Sequence, residues 1–174
     1  MIRAVEKGDR EAVRRLWAAL MDAQASIDDR FSPSDDAEER WKNDFDQWLQ
    51  AESRRMFVAL EGDRVCGFIT AERWAPPPIY RDRPAVYVDE LFVESDCRRE
   101  GHGTDLVLAV RRWGERIGAR ELRAGVLAGN DEATAFWKEL GGVEISKSFA
   151  IELNGEGRDG KIGTGSEGRI GFSL

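Results

Sequence analysis

Residues 86–104 constrain this chain more than any other stretch. Val86-Tyr87-Val88-Asp89-Glu90-Leu91-Phe92-Val93 reads as a buried β-strand. After a short turn, Arg98-Arg99-Glu100-Gly101-His102-Gly103-Thr104 reads as a glycine-rich arch that opens a helix. The first turn of a helix leaves N–H groups without partners, at the positive end of the helix dipole. An arch of this kind suits an anion, most often a phosphate or diphosphate. Gly101 and Gly103 fit that role, because a side chain would hold the anion off the backbone and because the turn calls for positive φ.

The spacing excludes two common phosphate motifs. The dinucleotide fingerprint needs G-x-G-x-x-G, but no third glycine follows Gly103 at the required place. The P-loop needs Gly-Lys-Ser or Gly-Lys-Thr, and the chain has neither. What remains is Arg98-x-x-Gly101-x-Gly103.

This pattern resembles the R/Q-x-x-G-x-G/A signature of the GNAT N-acetyltransferases. A second segment, Asn130-Asp131-Glu132-Ala133-Thr134-Ala135-Phe136-Trp137-Lys138-Glu139-Leu140-Gly141, resembles the family's N-x-x-A-x-x-F-Y-x-x-x-G. A helix (105–117) and a strand (121–127) are expected between the two motifs, which is the family's order. The resemblance is good over residues 86–153 and rests on element order alone over residues 1–85.

The resemblance implies an α/β fold with a mixed, mostly antiparallel sheet of six to seven strands and about four flanking helices. A central parallel pair, 85–93 and 121–127, would splay apart to admit acetyl-coenzyme A. Residues 1–153 would form one domain. The glycine-rich tail, 154–174, with seven glycines in 21 residues, is expected to be disordered or to add an edge strand.

Hydrophobic periodicity fills in the rest. A strand is expected at 2–5, and a helix over 10–25 capped by Asp9. A second helix would open at Ser32-Pro33 and carry Trp41, Phe45, Trp48 and Leu49 on one face. Gly62-Asp63 predicts a hairpin between strands 55–61 and 64–74. Helix 131–140 and a final strand, 143–153, follow.

Composition narrows the function. A net charge of −7 argues against general nucleic-acid binding. No apolar run reaches the length of a membrane span. The absence of a leader pattern and two unpaired-looking cysteines, Cys66 and Cys97, lead us to expect a cytoplasmic protein. His102 is the only histidine and lies inside the arch, so a Ser-His-Asp site or a zinc site is poorly supplied, and no metal is expected. Residues 28–52 carry nine acidic and three basic side chains, against seven arginines and four acids in 98–123. Asp28, Asp29, Asp35 and Asp36 are candidate attractors for a cationic amine.

The resemblance assigns roles. Backbone groups of Leu91, Phe92 and Val93 would pair with the pantetheine arm. Arg98, Arg99, Glu100, Gly101, His102, Gly103 and Thr104 would hold the diphosphate. Asn130 would bond the arm or cap its helix, and Phe136 would serve mainly as core. The acceptor ammonium must lose a proton before it attacks, and Glu90 is favoured as the base, with Asp89 and Tyr87 as alternatives. Strand alternation puts Asp89 and Glu90 on opposite faces, unless a bulge re-aims them.

Trp137 stands where the family commonly has the Tyr that protonates the departing thiolate, and an indole N–H cannot supply that proton. The function expected is acetyl transfer to a primary amine of a small molecule or peptide, by direct attack in a ternary complex, within a homodimer. A coenzyme A-binding protein without catalysis and a protein or peptide acetyltransferase are the alternatives.

Overall fold

The computed structural model describes residues 1–81 and 83–153, so the tail expected at 154–174 lies outside the described residues. The strands are β1 (Ile2–Ala4), β2 (Arg54–Glu61), β3 (Arg64–Trp74), β4 (Ala85–Val93) and β5 (Glu121–Ala124). The helices are α1 (Arg10–Ile27), α2 (Ala37–Gln50), α3 (His102–Arg116) and α4 (Asp131–Glu139). One unit covers Met1–Gly142, and a second begins at Val143.

Gly62, at φ +58, turns β2 into β3 as the Gly-Asp pair predicts. The sheet runs in the order β1-β2-β3-β4-β5, antiparallel except for the parallel β4–β5 pair. Alternating side chains give it two covered faces. Val58 and Phe68 meet Val13 and Leu16 of α1 and Phe45 of α2 on one side. Ile69, Val86 and Val88 meet Leu106, Val110 and Trp113 of α3 on the other. Each such large apolar side chain contributes about 1.5–3 kcal/mol by leaving water.

Two irregularities of β4 shape the centre of the sheet. Thr70 pairs with Glu90 and Ala71 with Val88, so Asp89 is an extra residue without a partner on β3, a bulge. On its other side β4 pairs with β5 only from Ala85↔Glu121 to Val88↔Ala124. At the bulge the two parallel strands part. β5 therefore ends at Ala124 rather than at the expected Leu127.

Gly67 sits across from the end of β4. A Cβ there would come within 3.0 Å of both the Phe92 carbonyl and the Val93 side chain. Gly67→Ala is expected to lose about 1–3 kcal/mol of stability in chemical denaturation, because backbone must give way.

Several expectations are corrected. The sheet has five strands among the described residues, not six to seven. Residues 143–153 form no strand, and Val143, Ile145, Phe149, Ile151 and Leu153 are exposed. A period-two pattern says which face a strand would bury but supplies no neighbour to pair with. α2 begins at Ala37, not at Pro33. Ser32 is extended, as a residue before proline tends to be, and a Ser34–Asp36 hydrogen bond of 2.7 Å holds the following turn. Asp9 does not cap α1 with its side chain; it takes the Glu6 N–H at 2.8 Å and pairs with Arg3 instead.

Candidate functional site

The arch opens α3 three residues earlier than the periodicity predicts, at His102 instead of Asp105. Gly101 is left-handed at φ +85, which only glycine adopts cheaply, and Arg99 is left-handed too, at φ +64. The first N–H to return into the helix is that of Asp105, to the Gly101 carbonyl at 2.9 Å. Among the described residues, the N–H groups of Gly101, His102, Gly103 and Thr104 donate to no protein atom. Four open donors at the positive end of a helix fit a diphosphate.

Gly103 does not take the positive φ expected of it, and it also meets a packing constraint. A Cβ there would lie 3.3 Å from the Phe136 ring, so α4 packs directly under the arch. Trp137 meets Phe136 edge-on, with ring centroids 5.4 Å apart. Asn130 caps α4, accepting the Ala133 N–H at 3.0 Å.

The Arg98 guanidinium lies over the Phe92 ring and bonds the Val93 carbonyl at 3.0 Å and Glu132 at 3.1 Å, tying the end of β4 to the start of α4. Glu100 is exposed, and its carboxylate lies 3.6 Å from Nε2 of His102. That nitrogen is buried without a hydrogen-bond partner. Leu91 and Val93 pack towards α3 and Phe92 towards α1, on a stretch of β4 with no β5 partner.

The bulge sets the second half of the site. Asp89 and Glu90, expected on opposite faces, line the same pocket of about 460 Å³. Trp17, Trp41, Phe45 and Trp48 form its aromatic wall, and Asp44 and Glu72 add acidic groups. The Glu90 carboxylate accepts the Thr70 hydroxyl at 3.2 Å. Burial lifts Glu90 to about 7; Thr70 and the Trp17 indole oppose the shift, and the Asp89 charge adds to it. Burial also lifts Asp89 to about 7, helped by Glu72 and opposed by Arg54.

Tyr87 does not line this pocket; its hydroxyl leaves room only for a glycine at 125. Asp28, Asp29, Asp35 and Asp36 do not line it either, and Asp28 and Asp36 are paired with Arg30 and Arg40. Asp44, Glu72 and Thr70 were missed by the sequence reading. Asp44 had a signal, since it shares a helix face with Trp41 and Trp48 at i+3 and i−4.

A side-chain cluster and a groove lie outside this site. Ligand atoms of Glu94, Asp96 and Cys97 lie within 4.8 Å of one another. Arg64 already places its guanidinium there, 2.7 Å from Asp96 and 2.9 Å from Glu94, and Arg15 also pairs with Glu94. A larger groove of about 650 Å³ lies along α3, β1 and β2, lined by Arg3, Arg112 and Arg116. Its arginines are accompanied by Glu115, and Arg3 is committed to Asp9. It runs along the C-terminal half of α3, away from the open N–H groups of the arch.

Known proteins share this fold. The model of the acetyltransferase (GNAT) family matches residues 9–142. Aminoglycoside N(6')-acetyltransferase type 1 of Salmonella typhimurium is 28% identical over 105 residues, which is 60% of this chain and 72% of the relative. A tetramutant of the BH1408 protein from Bacillus halodurans superposes with a TM-score of 0.78 at 20% identity, over 88% of this chain and 99% of that one. AAC(6')-Iy, solved with the bisubstrate analogue CoA-S-monomethyl-acetylneamine, gives 0.72 at 24% identity, over 88% and 97%. The chain belongs to the acetyltransferase (GNAT) family, and is an N-acetyltransferase with acetyl-coenzyme A as its cosubstrate, as the two sequence motifs led us to expect.

Proposed function

We propose that this enzyme acetylates a primary amine of a small cationic acceptor by direct attack in a ternary complex. The observation that carries this reading is the bulge at Asp89, which aims two carboxylates into one aromatic-walled pocket beside the parting of β4 and β5. The cosubstrate supplies an acetyl thioester. The open N–H groups of Gly101, His102, Gly103 and Thr104 bind its diphosphate, with Arg99 and His102 at hand, while Arg98 and Glu100 frame the arch. The unpaired edge of Leu91, Phe92 and Val93 offers backbone partners to an extended amide-bearing arm and a donor for the developing oxyanion.

Glu90 is the base. An alkyl ammonium has a pKa of about 10.4, roughly six units above an ordinary glutamate. Lifting Glu90 to about 7 halves that gap and eases the proton transfer. Asp89 lies nearer solvent and orients the ammonium. Tyr87, against Gly125, remains available to hydrogen-bond the departing sulfur rather than to act as base.

The pocket volume falls in the range of small-molecule sites and favours a small acceptor over a peptide. The relatives named for aminoglycoside acetylation make aminoglycosides the first acceptors to try. The test is thiol release from acetyl-coenzyme A across aminoglycosides, diamines, free lysine and peptides. Turnover of a small amine supports the reading, and turnover of peptides alone would overturn it.

A coenzyme-binding protein without catalysis is favoured by one observation, Trp137 in place of the tyrosine acid. A thiol near pKa 8.5 leaves tolerably unaided, so we retain catalysis. Trp137→Tyr is expected to raise kcat about tenfold in the same assay, if protonation of sulfur limits the rate. The exposed apolar side chains of 143–153 support a homodimer, for which sedimentation equilibrium is the test.

A further inference from the structure

The acidic pocket already contains a cation of its own. Arg54, the first residue of β2, sets its guanidinium 5.0 Å over the Trp48 ring and 3.3 Å from the Glu72 carboxylate. Glu72 is its partner across the β2–β3 ladder, and both side chains remain 36% exposed. An ion pair so open to water is worth little, about 0–1 kcal/mol, so a ligand can displace it at small cost. The other arginine of the pocket, Arg40, is tied to Asp36.

We propose that Arg54 holds the place of an acceptor's second ammonium, and that Trp48 and Glu72 form a subsite that favours acceptors with two cationic groups over those with one. This rests on the transferase reading above and deepens it. An aromatic face beside carboxylates is a place for a cation, and here such a cation is in residence. When a dication binds, its first ammonium goes to Glu90 and its second takes over Trp48 and Glu72 as the Arg54 side chain swings to solvent.

The ladder sets the span. Glu90 pairs with Thr70, and Glu72 lies two residues further along β3. Two strand residues rise roughly 6.5–7 Å. An extended 1,4-diaminobutane spans about the same distance between its nitrogens.

The experiment compares 1,4-diaminobutane with n-butylamine, by thiol release from acetyl-coenzyme A and by calorimetric binding to protein saturated with coenzyme A. Arg54→Ala is expected to raise the diamine-to-monoamine ratio about tenfold by vacating the subsite. Glu72→Gln is expected to lower it about tenfold, towards one. A ratio within twofold of the unmodified enzyme in either variant, or a shift in the opposite sense, would overturn the proposal while leaving the transferase reading intact. A protein that binds the diamine preferentially but turns over no amine of the wider acceptor panel would overturn only the transferase reading. One that neither binds nor acetylates either amine overturns the proposal, while the transferase reading stands or falls on the wider acceptor panel.

Discussion

Glu90→Gln is expected to lower kcat/KM by about 10²–10⁴-fold, the usual loss when a positioned base is removed. In the unmodified enzyme, log kcat/KM should rise with pH and bend near 7, where Glu90 gives up its proton. The glutamine variant should lack that bend. Asp89→Asn should cost less, because Asp89 stands nearer solvent and orients instead of accepting the proton.

Glu90→Gln has an opposite effect on stability. Burial raises Glu90 above an ordinary glutamate, so the folded protein holds this proton more tightly than the unfolded chain does. The stability from that proton is complete below the ordinary glutamate range and is lost as pH rises through about 7. Glutamine carries no charge to bury. At pH 8–9 the variant should be more stable by up to about 3 kcal/mol, the equivalent of about 2.5 pKa units, and at pH 4 the two proteins should unfold alike. Denaturant titrations at the two pH values measure this. An inactive variant that is also less stable at pH 9 would mean that Glu90 holds the pocket together instead of working in it.

The second large effect concerns the arch. Nothing lies within 4 Å of a Cβ built on Gly101, so a substitution there meets no steric obstacle. The obstacle is conformational: φ +85 is a region that a β-branched residue avoids. Gly101→Val should turn the backbone out of the left-handed region and swing the N–H groups of Gly101 and His102 away from their common focus. Hydrogen bonds to a charged group are worth about 1.5–3 kcal/mol each, so the dissociation constant for coenzyme A should rise about 10–100-fold. Calorimetry with coenzyme A reads this directly, and kcat at saturating cosubstrate should change much less.

The arch was legible because its constraint is local. Glycines at 101 and 103 between a β-rich run and a helix limit the backbone to few conformations, whatever the rest of the chain does. Even so, the packing constraint on Gly103 was not legible. Its neighbour is the Phe136 ring, brought there from 33 residues further along by α4.

The acidic pocket was half legible. Glu90 stood out on the strand, but its companionship with Asp89 depends on one extra residue in the β3–β4 ladder. Alternation alone predicts the opposite arrangement, and only the paired strand shows where the count slips. Glu72 and Arg54 come together through the β2–β3 register, which no single stretch of sequence contains. The acids at 28–36 drew notice by their density, yet two of them are neutralised locally by Arg30 and Arg40. Charge density marks a face, and register decides which charges converge. The strand expected at 143–153 failed for the same reason, since its alternation carries no information about a partner.

Backbone amide NMR of the isotope-labelled protein, titrated with coenzyme A, tests the account most directly. The amides of Gly101, His102, Gly103 and Thr104 should move most, followed by those of Leu91, Phe92 and Val93 along the unpaired edge of β4. Changes confined to Arg3, Arg112 and Arg116, around the larger groove, with the arch unmoved, would contradict it.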